Sequence, residues 1–144
     1  MSASRNTIMN ALATRLQGAA PWGVVSRRNR APSSVAAVNQ PALLLLRHSE
    51  HYAARGPNMP SVRMINVFAA VYIDTGTDET AIPDAIVADL QDAVDAALAA
   101  DVPQGYCTLG GLVQSAKIAG TVTLAPGDVT GKGLALIPIE IILP

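Results

Sequence analysis

The closing run of the chain, GKGLALIPIEIILP over residues 131–144, limits the fold more than any other stretch. It is too short to cross a bilayer, which takes about 20 apolar residues, and Glu140 interrupts it. Its side chains alternate. Ile137, Ile139, Ile141 and Leu143 fall on one side, and Leu136, Pro138, Glu140 and Ile142 on the other, which is the period of a strand. The first set suits a core. The second is too apolar for open water, and Pro138 has no N–H to give to a ladder, a feature of edges and bulges. The pattern therefore predicts a terminal edge strand that is apolar on both faces. Such an edge invites another chain unless something covers it. Other copies of the protein are the expected cover.

A chain of 144 residues reads as a single domain, 1–144. Half of its residues are hydrophobic but only 3% are aromatic, so the core must be built from Ala, Val, Leu and Ile. The single cysteine, Cys107, excludes an intrachain disulfide framework. No continuous apolar segment resembling a secretory signal appears in MSASRNTIMNALATRLQ. Charge is uneven. Residues 1–64 carry eight arginines against one acid, Glu50, whereas residues 65–144 carry two lysines against ten acids. This is either ordinary surface charge or a pair of opposed faces that meet between copies or between partners.

Along the chain, SRNTIMNALATRLQG predicts a helix capped by Ser4 and ended by Gly18, with Ile8, Leu12 and Leu16 on one face beside Met9. WGVVSR is a short strand, and RRNRAPSSVAAVNQP a loop. PALLLLRH, apolar on both faces, predicts a central strand. SEHYAARGPNMP reads as a long polar loop. SVRMINVFAAVYIDTG is the clearest strand, with Ile65, Val67, Ala69, Val71 and Ile73 on one face. A second helix, capped by Thr80, is expected to run to about Ala99 and to bury Ile86, Leu90, Val94, Ala97 and Leu98. LVQSAKIAGTVTL predicts one strand, with Leu112, Ala116, Ile118, Val122 and Leu124 inward, joined to the last strand by a hairpin over APGDVTGKG. The order α-β-β-β-α-β-β implies an α+β fold: a mainly antiparallel sheet with two helices packed on it.

Candidate chemistry is sparse. GDVTGKG is one residue short of a phosphate loop, has no Ser or Thr after Lys132, and joins two strands rather than a strand and a helix. His48 and His51 could give two metal ligands where zinc needs three or four. Cys107 as a nucleophile would need one of those histidines beside it. Asp84, Asp89, Asp92 and Asp95 share one arc of the second helix. They form either a solvated face or a surface that repels something anionic. Arg27, Arg28 and Arg30 suit a protein contact, a solvated loop or a nucleic acid, but no stacking aromatics accompany them. No catalytic, cofactor or metal site is expected from these residues.

The last third carries a further pattern. TLGGLVQSAKIAGTV, then PGDVTGKG, then ALIPIEIILP resembles the tail terminator (tail completion, head–tail joining) proteins of long-tailed bacteriophages over 108–144. The element order before it agrees in kind, through PALLLL, a long strand and LQDAVDAAL. The resemblance implies a structural virion protein of the tail and neck, assembled in the host cytoplasm without a membrane. It implies a homo-oligomeric ring, typically a hexamer, that caps the tail tube protein and docks on a neck or head-completion protein. DNA would pass through it without sequence-specific binding. Head-completion, stopper and connector proteins of similar size share parts of this architecture. A small cytosolic enzyme using Cys107 or the His48/His51 pair, and a ligand-binding α+β domain, are the alternatives from other classes. Under the ring reading, subunit or tube contacts are expected from Arg27, Arg28, Arg30, His51, Tyr52, Arg55, Leu136, Pro138, Glu140 and Ile142. Asp84, Asp89, Asp92 and Asp95 would face the lumen and keep DNA from sticking. The long loop over 49–61 would contact the tube or a neighbour.

Overall fold

A computed structural model describes residues 3–28, 41–75, 80–125 and 132–143. Its elements are α1 (Arg5–Gln17), β1 (Val24–Ser26), β2 (Ala42–Ala53), β3 (Val62–Asp74), α2 (Pro83–Ala97), β4 (Ser115–Ile118), β5 (Thr123–Ala125) and β6 (Lys132–Ile142). The six strands form one sheet in the order β1-β2-β3-β6-β4, with β5 beside β4 on the same flank of β6. The ladders of β2 with β3, and of β6 with β3, β4 and β5, are antiparallel, while β1 runs parallel to β2. The fold is therefore α+β with two helices, and its sheet is mixed.

Local sequence accounts for the first helix. The Ser4 hydroxyl accepts the Thr7 N–H at 3.2 Å, and Ile8, Met9, Leu12 and Leu16 are fully buried. Such a cap stabilises a helix by about 1 kcal/mol. The Trp22 indole N–H donates to the Leu16 carbonyl at 2.8 Å, satisfying an end carbonyl and turning the chain toward β1. Helix α2 departs from expectation at its start. Ile82, not Thr80, is its N-cap and makes no side-chain cap bond, while Pro83 opens the first turn. Leu90 and Val94 are buried as expected, but Val87 takes the place of Ile86, which is 37% exposed.

Both helices cover one face of the sheet. That face is supplied by Leu43 and Leu45 of β2, by Ile65, Val67, Ala69, Val71 and Ile73 of β3, and by Ala135, Ile137, Ile139 and Ile141 of β6. The alternation read from β3 and β6 is thus the alternation found. Helix α2 seats closely on β6. A Cβ at Gly133 would lie 3.1 Å from both Ile73 Cγ1 and Val87 Cγ2.

Strand β6 corrects the reading of the C-terminus. It is not an edge. It lies between β3 on one flank and β4 and β5 on the other. Pro138 is tolerated because its flank faces the break between β4 and β5. The Ala119 N–H donates to the Pro138 carbonyl at 3.0 Å, and the N of an extended residue points to the same side as its carbonyl. The missing donor therefore falls where no strand residue needs it. Gly120, at φ +111°, passes over the proline ring, and a Cβ there would lie 3.4 Å from Pro138 Cγ. This break also splits the single strand expected over 112–124 into two, and leaves Leu124 48% exposed rather than inward.

The polar stretch SEHYAARGPNMP is also corrected. Its first part continues β2 to Ala53, and only 54–61 forms the connection to β3. A bulge between Arg47 and Ser49 shifts the register there, so that Ser49 pairs with Asn66 and His51 with Met64.

Candidate assembly surfaces

The TLGG motif is a left-handed turn built on a carboxylate. Leu109, Gly110 and Gly111 have φ of +51°, +73° and +92°. Glycine adopts this region freely, but leucine does so at a cost. Burial of the Leu109 side chain in the core offsets that cost. Asp101 holds the turn from outside. Its Oδ1 accepts the Thr108 N–H at 2.7 Å and the Thr108 hydroxyl at 2.9 Å, and its Oδ2 accepts the Gly110 N–H at 3.0 Å. Arg15 of α1 adds an ion pair at 3.2 Å. The Gly110 and Thr108 amides, foremost, hold the Asp101 carboxyl down at about 2, against an ordinary 3.8. The turn then brings Cys107 back along β4, where its carbonyl accepts the Ala116 N–H at 2.8 Å. Part of that sheet edge is therefore covered from within the chain.

A second cluster ties the start of α1 to the outer half of β2. Arg5 grips Glu50 with Nε and Nη2, the latter at 2.9 Å from Oε2, and Nη2 also donates to the Tyr52 hydroxyl at 2.7 Å. Arg47 reaches the same carboxylate at 3.2 Å. The hydrogen bond from Arg5 is the main reason that the Glu50 carboxyl titrates below the ordinary range. An open depression of about 470 Å³ lies among Arg5, Arg47, His48, Ser49 and Glu50. Glu50 already neutralises part of the positive charge there, so the hollow is a seam between elements rather than a free anion cradle.

The β2–β3 connection is a defined turn. The Met59 N–H donates to the Gly56 carbonyl at 3.3 Å, with Pro57 and then Asn58 at φ +62° between them. Proline followed by a left-handed Asn is the pattern of a type II turn. It presents Met59 at 56% exposure on the same connection as the exposed Arg55, and Tyr52, 55% exposed, stands at the end of β2 that leads into it.

The remaining expected contact residues are dispersed. Arg27 and Arg28 are exposed just past β1. Arg27 donates to Asn6 and Asn10 of α1, both at 3.1 Å, and meets no carboxylate. Arg30 lies outside the described residues, as does the acidic-glycine loop over 126–131. Leu136, Pro138, Glu140 and Ile142 are half-buried on the face away from the helices, and His51 is exposed on that same face. Asp84, Asp89, Asp92 and Asp95 are all exposed on α2, and among the described residues none forms an ion pair. The fold does not bring the arginines of β1, the hairpin tip and β6 into one patch.

It also separates the candidate enzyme residues. Cys107 is buried in the core on the helix side, beyond β4. His48 stacks on Phe68 at 4.8 Å between ring centres, on the opposite face, and His51 shares that face. Strands β3, β6 and β4 intervene at about 4.8 Å each, so neither imidazole reaches the thiol. Among the described residues no three His, Cys, Asp or Glu side chains group as metal ligands, and no helix is long and apolar enough to cross a membrane.

Sequence reasoning singled out the TLGG turn but missed Asp101, Arg5 and Glu50 as the residues that hold these surfaces in place. The signal for Asp101 was a carboxylate seven residues before the TLGG turn. Its partners are set by the turn, not by a spacing rule. No protein-family model matches the chain, and no curated protein matches it.

Proposed function

We propose that this protein is a structural assembly subunit of the tail terminator kind. Copies of it form a ring that caps the tail tube of a long-tailed phage, joins the tube to the neck and lets DNA pass. The carrying observation is exposed charge of both signs that the fold leaves without a partner. Exposed Arg27, Arg28 and Arg55 meet no carboxylate among the described residues, and exposed Asp84, Asp89, Asp92 and Asp95 meet no cation. A ring needs two unlike, mutually complementary patches on each copy. The resemblance of TLGG, the GD loop and IPIEI to terminator sequences supplies the place in the particle. The half-buried apolar side of β6 and its neighbours is a further surface for such packing.

The thiol–histidine alternative loses support, because Cys107 lies on the opposite side of the sheet from His48 and His51. The test is to add purified protein to polymerising tail tube protein and measure tube lengths by electron microscopy. Capping predicts shorter tubes with extra density at one end. Unchanged lengths and bare ends would refute the terminator role. Binding only to a neck protein would transfer the reading to a head-completion or stopper protein.

A further inference from the structure

Six large apolar side chains stand exposed among the described residues, and four of them fall in two pairs of opposite charge. Tyr52 and Met59 mark the hairpin, where Arg55 on the turn and Arg63 opposite Tyr52 meet no carboxylate among the described residues. Ile82, 64% exposed, and Ile86 stand one helical turn apart at the start of α2. Asp89 follows Ile86 by three residues on the same side, at the border of the acidic arc. One pair is apolar beside a cation, and the other is apolar beside a carboxylate.

The two pairs cannot satisfy each other within one molecule. The tip joins Ala53 to Val62, at the end of the sheet where Met64 faces Ile142. The start of α2 lies at the other end, where Val87 packs on Gly133 beside Ile73. From Val62 to Ile73 an extended strand covers about 35 Å. The first patch is shaped by the type II turn and the Tyr52–Arg5 hydrogen bond, the second by the seating of α2.

We propose that the hairpin tip of one copy docks on the start of α2 of the next, with Tyr52 and Met59 against Ile82 and Ile86, and Arg55 against Asp89. The occupant is a second copy of this chain. The match in apolar size and opposite charge selects it over an unlike partner. The contact is heterologous, so an open row of copies keeps one free patch of each kind, at its two ends, until it closes on itself. Two hydrophobic anchors in the middle of such a patch give most of the attraction, and the ion pair fixes the register. Asp92 and Asp95 lie farther along α2 and remain outside the contact. The proposal gives the ring of the functional reading its subunit contact and rests on that reading only for closure.

The experiment is site-directed cross-linking in the full chain. Met59→Cys and Ile86→Cys proteins are prepared separately, mixed and treated with a short bismaleimide. Cys107 is 1% exposed and does not compete. A covalent dimer should form in the mixture at a yield several-fold above either protein alone. Adding Arg55→Glu to the first, or Asp89→Arg to the second, should lower that yield roughly three- to five-fold, the scale of one exposed ion pair. Combining both reversals should restore it. Circular dichroism and the melting temperature verify that each variant is folded. Equal yields in mixed and unmixed samples, or no restoration by the double reversal, would overturn the contact. If tubes are still capped in that case, the assembly reading stands with a different subunit interface. A specific cross-link without capping keeps the contact and removes the terminator role.

Discussion

Replacing Gly133 by alanine should loosen the seat of α2 on the sheet. The new Cβ would sit 3.1 Å from both Ile73 Cγ1 and Val87 Cγ2 and 3.4 Å from Ile73 Cδ1. Both neighbours are β-branched and buried, so neither turns away cheaply. Overpacking of this kind costs about 1–3 kcal/mol. Removing a glycine from a strand returns about 0.5–1 kcal/mol. The net loss is then about 1–2 kcal/mol, or about 3–6 °C in Tm for a chain of this size. Urea unfolding should give a lower midpoint with an unchanged slope. Val87→Ala removes one of the two obstructing atoms, so the double variant should be more stable than the sum of the singles by at least about 0.5 kcal/mol. Stability equal to wild type in Gly133→Ala, or strict additivity in the pair, would refute the close seating of α2. The orientation of its acidic arc would then lose its basis.

Acid should release the TLGG turn. The Asp101 carboxyl titrates near 2 in the folded chain, below its ordinary 3.8, so its contribution is complete above pH 4 and is lost as pH falls toward 2. Asp101→Asn should flatten that acid limb in urea titrations at stepped pH, and an unaltered limb would count against the anchor. Exchanging Asp92 and Asp95, which stay outside the proposed contact at Asp89, together for lysine should slow DNA ejection from assembled particles, and normal ejection with full infectivity would sink the lumen placement. Amides over 54–61 should exchange quickly in the free protein and gain protection on assembly, while those of Leu43 to Leu45 stay slow throughout. Unchanged exchange at 54–61 in the assembled state would show that the tip touches nothing.

Periodicity made part of the fold legible. Ser4, Gly18 and the apolar spacing between them define α1, and the alternation of β3 and β6 assigns their buried faces correctly. What stayed hidden depends on distant partners. Pro138 signalled an edge because a proline in a strand forfeits a hydrogen bond. Here the forfeited bond falls at the Ala119–Val122 break, which only the folded sheet defines. The second half of β2, from Ser49 on, read as loop because Ser49, Glu50, His51 and Tyr52 lack apolar alternation and because a bulge resets its phase. Tertiary pairing with β3 overrides that local signal. Ile86 and Val87 are adjacent and equally apolar, so which of them joins Leu90 and Val94 in the core was open, and packing on Gly133 decides for Val87. Of the assembly surfaces, the acidic arc and the basic first half were legible as charge. Their places on the folded surface follow from topology alone.

The central claim is that copies of this chain assemble through unlike surfaces into a ring at the end of a tail tube. Mass photometry of the purified protein, alone and with polymerised tubes, tests it most directly. The account predicts a closed species of about six copies, free or on tube ends. A monomer at all concentrations, with no affinity for tube ends, would contradict it.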